Sequence, residues 1–288
     1  MTAIFPDVVE RYLVARYGPP ATIDLLSGLS GAGVWRVRFE RNSLIVKATR
    51  SGNEPTFYEI VAPALRSQGL ALPDLEWSAT ISDTPWLIME DIPLAFPQTR
   101  WLADAEQLAF LRRLHQSDVP AWPELPGAYR PQWSSAMTDA ALEWLAPSSA
   151  ALRPILESFQ AAAQPLFAPT CLISADPNPN NWGLRQDGAL VLFDWERFCR
   201  AAPALDVAIT VPGLGDPAAM ELVAARYLAT HDQGAVAAFV REMTIAKAWT
   251  VVELFSFLGP AGPPPHQVVA HLCEHFPAWL EQAAQTYL

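Results

Sequence analysis

The sequence predicts a two-lobed α+β fold, in which a small antiparallel sheet carrying one helix precedes a mainly α-helical lobe. Three observations predict it. Short β-like runs separated by turns fill the first 90 residues, the character changes after Glu90-Asp91-Ile92-Pro93, and helical periodicity dominates from there on. The 288 residues suffice for two lobes of ordinary size, which we place at 1–92 and 93–288.

The elements follow in order. Residues 5–17 read as an amphipathic helix with Val8, Val9, Tyr12 and Leu13 on one side. β-like runs at 24–29, 33–39 and 43–49 are broken by Ser30-Gly31-Ala32 and by Arg41-Asn42. A helix is expected at 54–68, then strands at 75–81 and 85–90 around the turn Ser82-Asp83-Thr84. Helices are expected at 102–116, 135–146 and 151–164, and a strand–loop–strand unit at 170–194. Further helical patterns cover 217–231, 235–258 and 266–287, broken by Gly259-Pro260 and Pro263-Pro264-Pro265.

Composition narrows the function. Hydrophobic residues make up 51% and charged ones 17%, which supports a packed core. The net charge is −11, with −3 before Leu94 and −8 from Leu94 onward, so nucleic acid and anionic membrane are poor partners. No apolar run is long and Pro-free enough to span a bilayer, and the start has no signal-peptide pattern. Three cysteines without metal-ligand spacing suit reduced thiols in a cytoplasm. Cys273 lies near His271 and His275, but the plainer reading is one helix bearing a buried Cys and two surface His.

The chemistry concentrates in CLISADPNPNNWGLRQDGALVLFDWE, residues 171–196. Two apolar runs, Cys171–Ile173 and Ala189–Phe193, lead to Asp176 and Asp194, and Asn181 follows Asp176 by five residues. If the runs are neighbouring strands, two carboxylates and an amide oxygen meet at one end of a hairpin. Such oxygens suit Mg²⁺, which takes a few carboxylates plus water and substrate phosphates. Asp, Asn and Pro also favour ordinary turns, but a turn does not explain a second Asp directly after an apolar strand. In the first lobe, Gly28, Gly31 and Gly33 would let backbone N–H groups approach phosphates, although Gly between strands also makes plain hairpins. It is not a Walker A loop. Lys47 stands in the apolar run Leu44-Ile45-Val46-Lys47-Ala48, and the chain has only one other lysine, Lys247. A lysine in such a strand points to a specific partner.

Together these segments resemble the aminoglycoside phosphotransferase and choline kinase family, distant relatives of protein kinases. That family reads H-G-D-x-x-x-x-N, a short hairpin, then D-W-E or D-x-E. Here it stands as Ser174-Ala175-Asp176, Asn181 and Asp194-Trp195-Glu196. The resemblance implies a bilobal protein-kinase-like fold and transfer of the γ-phosphoryl of ATP (or GTP), with Mg²⁺, to a small hydroxylated acceptor. It implies that Asp176 accepts or orients the hydroxyl, that Asn181 and Asp194 hold Mg²⁺, and that Asp206 braces the catalytic loop. It implies that Lys47 touches the α/β-phosphates and pairs with Glu54, with Glu59 as the alternative. The backbone of Glu90 to Ile92 is implied to hydrogen-bond the adenine. His115, in Leu111-Arg112-Arg113-Leu114-His115, is implied to be structural. The matches run over roughly residues 24–215.

Two positions depart from the pattern: Ser174 replaces His and Ala175 replaces Gly. They leave a pseudokinase, binding nucleotide without turnover, as the second reading. A Mg²⁺ hydrolase using the two Asp residues is a third, but it leaves Lys47 and Glu54 without a role. For the acceptor, Glu196, Asp216, Glu242, Trp249 and Glu253 are candidates, although the helix AKAWTVVELFSFL reads equally as core.

Overall fold

A computed structural model describes residues 4–26, 33–146, 149–259 and 267–288. Packing divides them into two compact units. The first holds residues up to Ala95 together with 118–129 and 180–198, and the second holds the remainder.

The first unit is built on a five-stranded antiparallel sheet. Its strands are β1 (Thr22–Leu26), β2 (Gly33–Arg38), β3 (Ser43–Ala48), β4 (Leu75–Ile81) and β5 (Thr84–Glu90), in the order β1-β2-β3-β5-β4. Helix α1 (Asp7–Tyr17) starts after Pro6 with Asp7 and Glu10 in its first turn, where acids complement the helix dipole. It buries Val9 and Leu13, one turn apart, against Val37, Phe39, Leu44, Val46 and Ile88. Val8, expected on the buried face, is 43% exposed, whereas Val9, Tyr12 and Leu13 pack toward the sheet.

The expected helix at 54–68 is interrupted. α2 (Asn53–Thr56) passes through a π turn at Phe57–Val61 into α3 (Ala62–Ser67). The Ala62 N–H bonds to the Phe57 carbonyl, five residues back. Pro63, which has no N–H to offer the preceding turn, stands directly after this widened turn. A second small sheet joins β6 (Leu94–Ala95), β8 (Trp182–Leu184) and β9 (Leu190–Leu192) in the order β6-β8-β9.

The second unit is mainly helical: α4 (Ala105–His115), α5 (Ser135–Trp144), α6 (Ser149–Ala163), α7 (Ala204–Ile209), α8 (Pro217–Leu228), α9 (Gln233–Leu258) and α10 (Gln267–Tyr287). Side-chain caps start four of them: Asp104 on α4, Ser134 on α5, Asp216 on α8 and Asp232 on α9. Helix α9 buries residues from Val236 and Phe239 to Trp249 and Phe255, and α5, α6, α7, α8 and α10 pack against it. Among the described residues no helix is long and apolar enough to cross a membrane.

One expectation fails here. The apolar runs around Asp176 and Asp194 are not paired strands. β7 (Cys171–Ile173) pairs with β10 (Cys199–Ala201), and β9 pairs with β8. The reason is local. Arg185 and Ala189 close a tight hairpin, with Arg185 N–H on the Ala189 carbonyl at 3.0 Å and Gly188 at φ 88°, so β9 folds back on the residues just before it.

Candidate active site

In the first unit the chemistry gathers around Lys47. Strand β3 lies between β2 and β5, with Lys47 opposite Val34 and Leu87. Its side chain is only 6% exposed. The ammonium lies 2.6 Å from Glu54 Oε2, 2.7 Å from Asp194 Oδ1 and 3.8 Å from Glu196 Oε2. Burial pulls the Lys47 ammonium down, but Glu54, Asp194 and Glu196 together outweigh it and hold the group above its ordinary value. The cation is thus charged at any physiological pH. Burial pushes the Glu54 carboxyl up, to about 7, against the pull of Lys47. Glu59 is elsewhere, accepting a hydrogen bond from Ser78, so the two glutamates offered by the sequence are told apart by position.

Helix α2 also fixes the Asp-Trp-Glu segment. Glu54 Oε1 accepts the Trp195 N–H at 3.3 Å. Asn53 Nδ2 donates to the Glu196 carbonyl at 2.7 Å. The Trp195 ring stacks on Phe57 at 4.0 Å and 6°, fully buried. Asp194 itself has φ 65°, the left-handed region that a non-glycine residue adopts only when its surroundings impose it. The oxygens of Glu54, Asp194 and Glu196 lie within 4.8 Å of one another. Such an all-oxygen donor set fits a hard divalent cation. Asn181 directly precedes β8, and its carbonyl accepts the Phe193 N–H at 2.9 Å, tying its backbone to the residue before Asp194.

The segment after β5 is held by its side chains. Glu90 receives Arg185 Nε and Nη2, both at 2.7 Å. Asp91 accepts hydrogen bonds from Arg36 Nη2 at 2.9 Å and Ser43 Oγ at 2.6 Å, with Arg36 Nε in ion-pair contact at 2.8 Å. Both carboxylates are thus engaged by neighbouring side chains. Gly183 in β8 allows close approach to this segment: a Cβ on it would fall 2.6 Å from Ile92 Cγ2 and 3.0 Å from the Leu94 carbonyl oxygen. Of the three glycines in the proposed phosphate turn, Gly28 and Gly31 lie outside the described residues. Gly33 begins β2, and a Cβ on it would run into the Trp35 ring.

In the second unit a loop after β7 carries Asp176. Asp206, fully buried on α7, accepts the Ser174 N–H at 2.9 Å and the Ala175 N–H at 2.7 Å. His115 Nε2 lies 3.0 Å from the same carboxylate, and His115 Nδ1 lies 2.8 Å from the Tyr227 hydroxyl. An Nε2–H donating to Asp206, with Nδ1 accepting the Tyr227 hydroxyl, satisfies both ring nitrogens. The brace therefore consists of Asp206 and His115. Ala175 has φ 62°, so the position usually held by Gly does need a left-handed residue. Asp176 Oδ1 accepts Asn178 Nδ2 at 2.8 Å.

The acceptor candidates divide. Glu196 sits beside Lys47. Asp216 caps α8 through the Ala219 N–H at 2.7 Å. Trp249 is buried core, its Nε1–H on the Gln132 carbonyl at 2.9 Å, while Glu242 and Glu253 are half-buried on α9. Asn53 and Arg185 escaped sequence reading. Asn53 directly precedes Glu54, but nothing in one sequence shows which carbonyl an Asn will reach.

Comparison with known proteins agrees with this geometry. Residues 23–242 match the model of the phosphotransferase enzyme family (APH). No curated protein sequence matches. Among solved structures, the fold is similar to spectinomycin phosphotransferase APH(9)-Ia in complex with ADP and spectinomycin, at 15% identity, TM-score 0.66 and 99% coverage of both chains. It is similar to an ethanolamine kinase of Plasmodium vivax, at 13% identity, TM-score 0.63 and coverage of 96% of this chain and 89% of that one. The choline kinase LicA of Streptococcus pneumoniae aligns at 16% identity, TM-score 0.60 and coverage of 96% and 98%.

Proposed function

Because this chain belongs to the phosphotransferase enzyme family, we propose that it moves the γ-phosphoryl of ATP (or GTP) to a hydroxyl of a small molecule. The observation that carries the reading is the buried Lys47 ammonium, held at 2.6 Å by Glu54 and at 2.7 Å by Asp194. A lysine in that setting is a fixed positive charge aimed at an anion, and phosphates are the anions this chemistry moves. Asn181 and Asp194 are the residues that would hold Mg²⁺, with Glu196 near Asp194. The ion would supply charge neutralisation on the phosphate oxygens.

The chain's own groups then act by positioning. Lys47 binds phosphate oxygens, and Glu54 keeps its side chain extended toward them. The backbone of Glu90 and Ile92 receives the base. Asp176 orients the acceptor hydroxyl and takes its proton, on a loop whose bend is fixed by Asp206. The acceptor is a small hydroxylated compound such as a sugar, an amino alcohol or a macrolide. Neither nucleic acid nor membrane is expected as a partner of so acidic a chain. All three cysteines are free thiols, which suits a cytoplasmic setting.

The test is ADP release from ATP with Mg²⁺ across a panel of hydroxylated acceptors. The expected result is an acceptor-stimulated rate that Asp176→Asn lowers by about 10²-fold or more. Nucleotide binding with no transfer to any acceptor, and with Asp176→Asn silent, would replace this reading by a nucleotide-binding module without turnover.

A further inference from the structure

Arg185 is a residue of the first unit whose bonds that mechanism leaves unused. It stands at the end of β8, in the hairpin that runs from Asn181 to Asp194. Its guanidinium makes a two-toothed ion pair with Glu90, both bonds at 2.7 Å, and a third bond to the Leu72 carbonyl at 2.9 Å. Glu90 Oε2 also accepts the Asp74 N–H at 3.1 Å, and the Glu90 N–H donates to the Asp74 carbonyl at 2.9 Å. One planar cation therefore joins the hairpin, the end of β5 and the loop before β4. The side chains of Arg185 and Glu90 are each 26% exposed, so water competes only partly for them. Below this pair, Gly183 lets β8 lie against Ile92 and Leu94, and β6 pairs Leu94 with Leu184.

We propose that Arg185 is a positioning residue that locks the base-receiving segment Glu90–Ile92 to the hairpin bearing Asn181 and Asp194. The proposal rests on the phosphotransfer reading above. A nucleotide is gripped at both ends, so it binds well only if the base end and the phosphate end are held at one fixed separation. Pyrophosphate has no base and is indifferent to where the base segment stands. A guanidinium suits the task because its geometry fixes orientation as well as distance, which a lysine would not.

The experiment measures Mg²⁺-dependent binding of ADP and of pyrophosphate to the full chain carrying Arg185→Met, Glu90→Gln or both. Arg185→Met is expected to weaken ADP about tenfold, the scale of one lost charge-assisted pair, and to leave pyrophosphate unchanged. Glu90→Gln, which keeps the backbone, is expected to weaken ADP in the same direction. The double variant is expected to lose no more than the worse single one, since both act through one pair. Equal loss of both ligands, additive losses, or no loss of ADP overturns the lock. Wild-type protein that binds neither probe overturns the phosphotransfer reading itself, and this proposal with it. Should Arg185→Met fail to fold, Arg185→Lys keeps the charge without the fork and is expected to show the same selective loss.

Discussion

Lys47 and Ala175 show how much one residue decides here. Removing Lys47 leaves Glu54 buried, 0% exposed, without its cation. Breaking a buried pair from one side costs about 3–5 kcal/mol. Lys47→Ala is therefore expected to lower the melting temperature as well as turnover, and the paired change Lys47→Met with Glu54→Gln to recover much of the stability without the activity. Chemical denaturation beside steady-state rates separates the two effects, and equal turnover in Lys47→Ala and wild type would remove the phosphate role. Ala175 carries a Cβ at φ 62°. Ala175→Gly is expected to stabilise the protein by about 0.5–1 kcal/mol, read as a raised Tm. A lowered Tm would mean that the bend is not strained.

At the scale of elements, two helices carry buried ionised or ionisable groups with different consequences. On α7, Asp206 accepts two backbone N–H groups and meets His115. Asp206→Asn keeps the shape but puts an amide N–H₂ against one of those donors, a loss of about 1–3 kcal/mol at the loop. The expected outcome is a fall in kcat with KM for ATP little changed, because the Asp176 loop is disturbed while Lys47 and Glu90 are not. On α9, Lys247 is 5% exposed and donates to the Val211 carbonyl at 2.7 Å. Burial alone pulls its ammonium down from 10.5 to about 7. Between pH 7 and 10.5 the unfolded chain is protonated there and the folded chain is not, so this lysine makes stability rise with pH across that window. Below it the cost is complete and constant. Lys247→Met is expected to raise Tm most at or below pH 7 and to converge on wild type near pH 10.5, as read by thermal melts across pH. A gain independent of pH would show that the charge is not the cause.

The molecule as a whole should respond to its ligand. A compound that binds only the folded chain stabilises it by RT ln(1 + [L]/Kd), about 2.7 kcal/mol at a hundredfold excess over Kd. Mg²⁺ with ADP is expected to raise Tm by several degrees, with little effect from either alone, and Asp194→Asn to abolish the rise. A rise that survives in Asp194→Asn would move the metal site away from that residue.

Sequence by itself determined the class of this fold, most of its helices and strands, and the residue types of the candidate site. Periodicity and turn chemistry are local; Lys47, Asp176 and Asp194 stood out as polar groups within or after apolar runs, Asn181 by its spacing from Asp176, and Asp206 through the family resemblance. Tertiary structure alone decided which partners those are. It paired β7 with β10 instead of β9, set the favoured Glu54 against Lys47, and placed Ala175 in a left-handed bend. It also brought Asn53 to the Glu196 carbonyl and Arg185 to Glu90, contacts spanning 143 and 95 positions of chain. Such bonds depend on where distant backbone comes to rest, and that is fixed by packing of the whole chain rather than by any short run of residues.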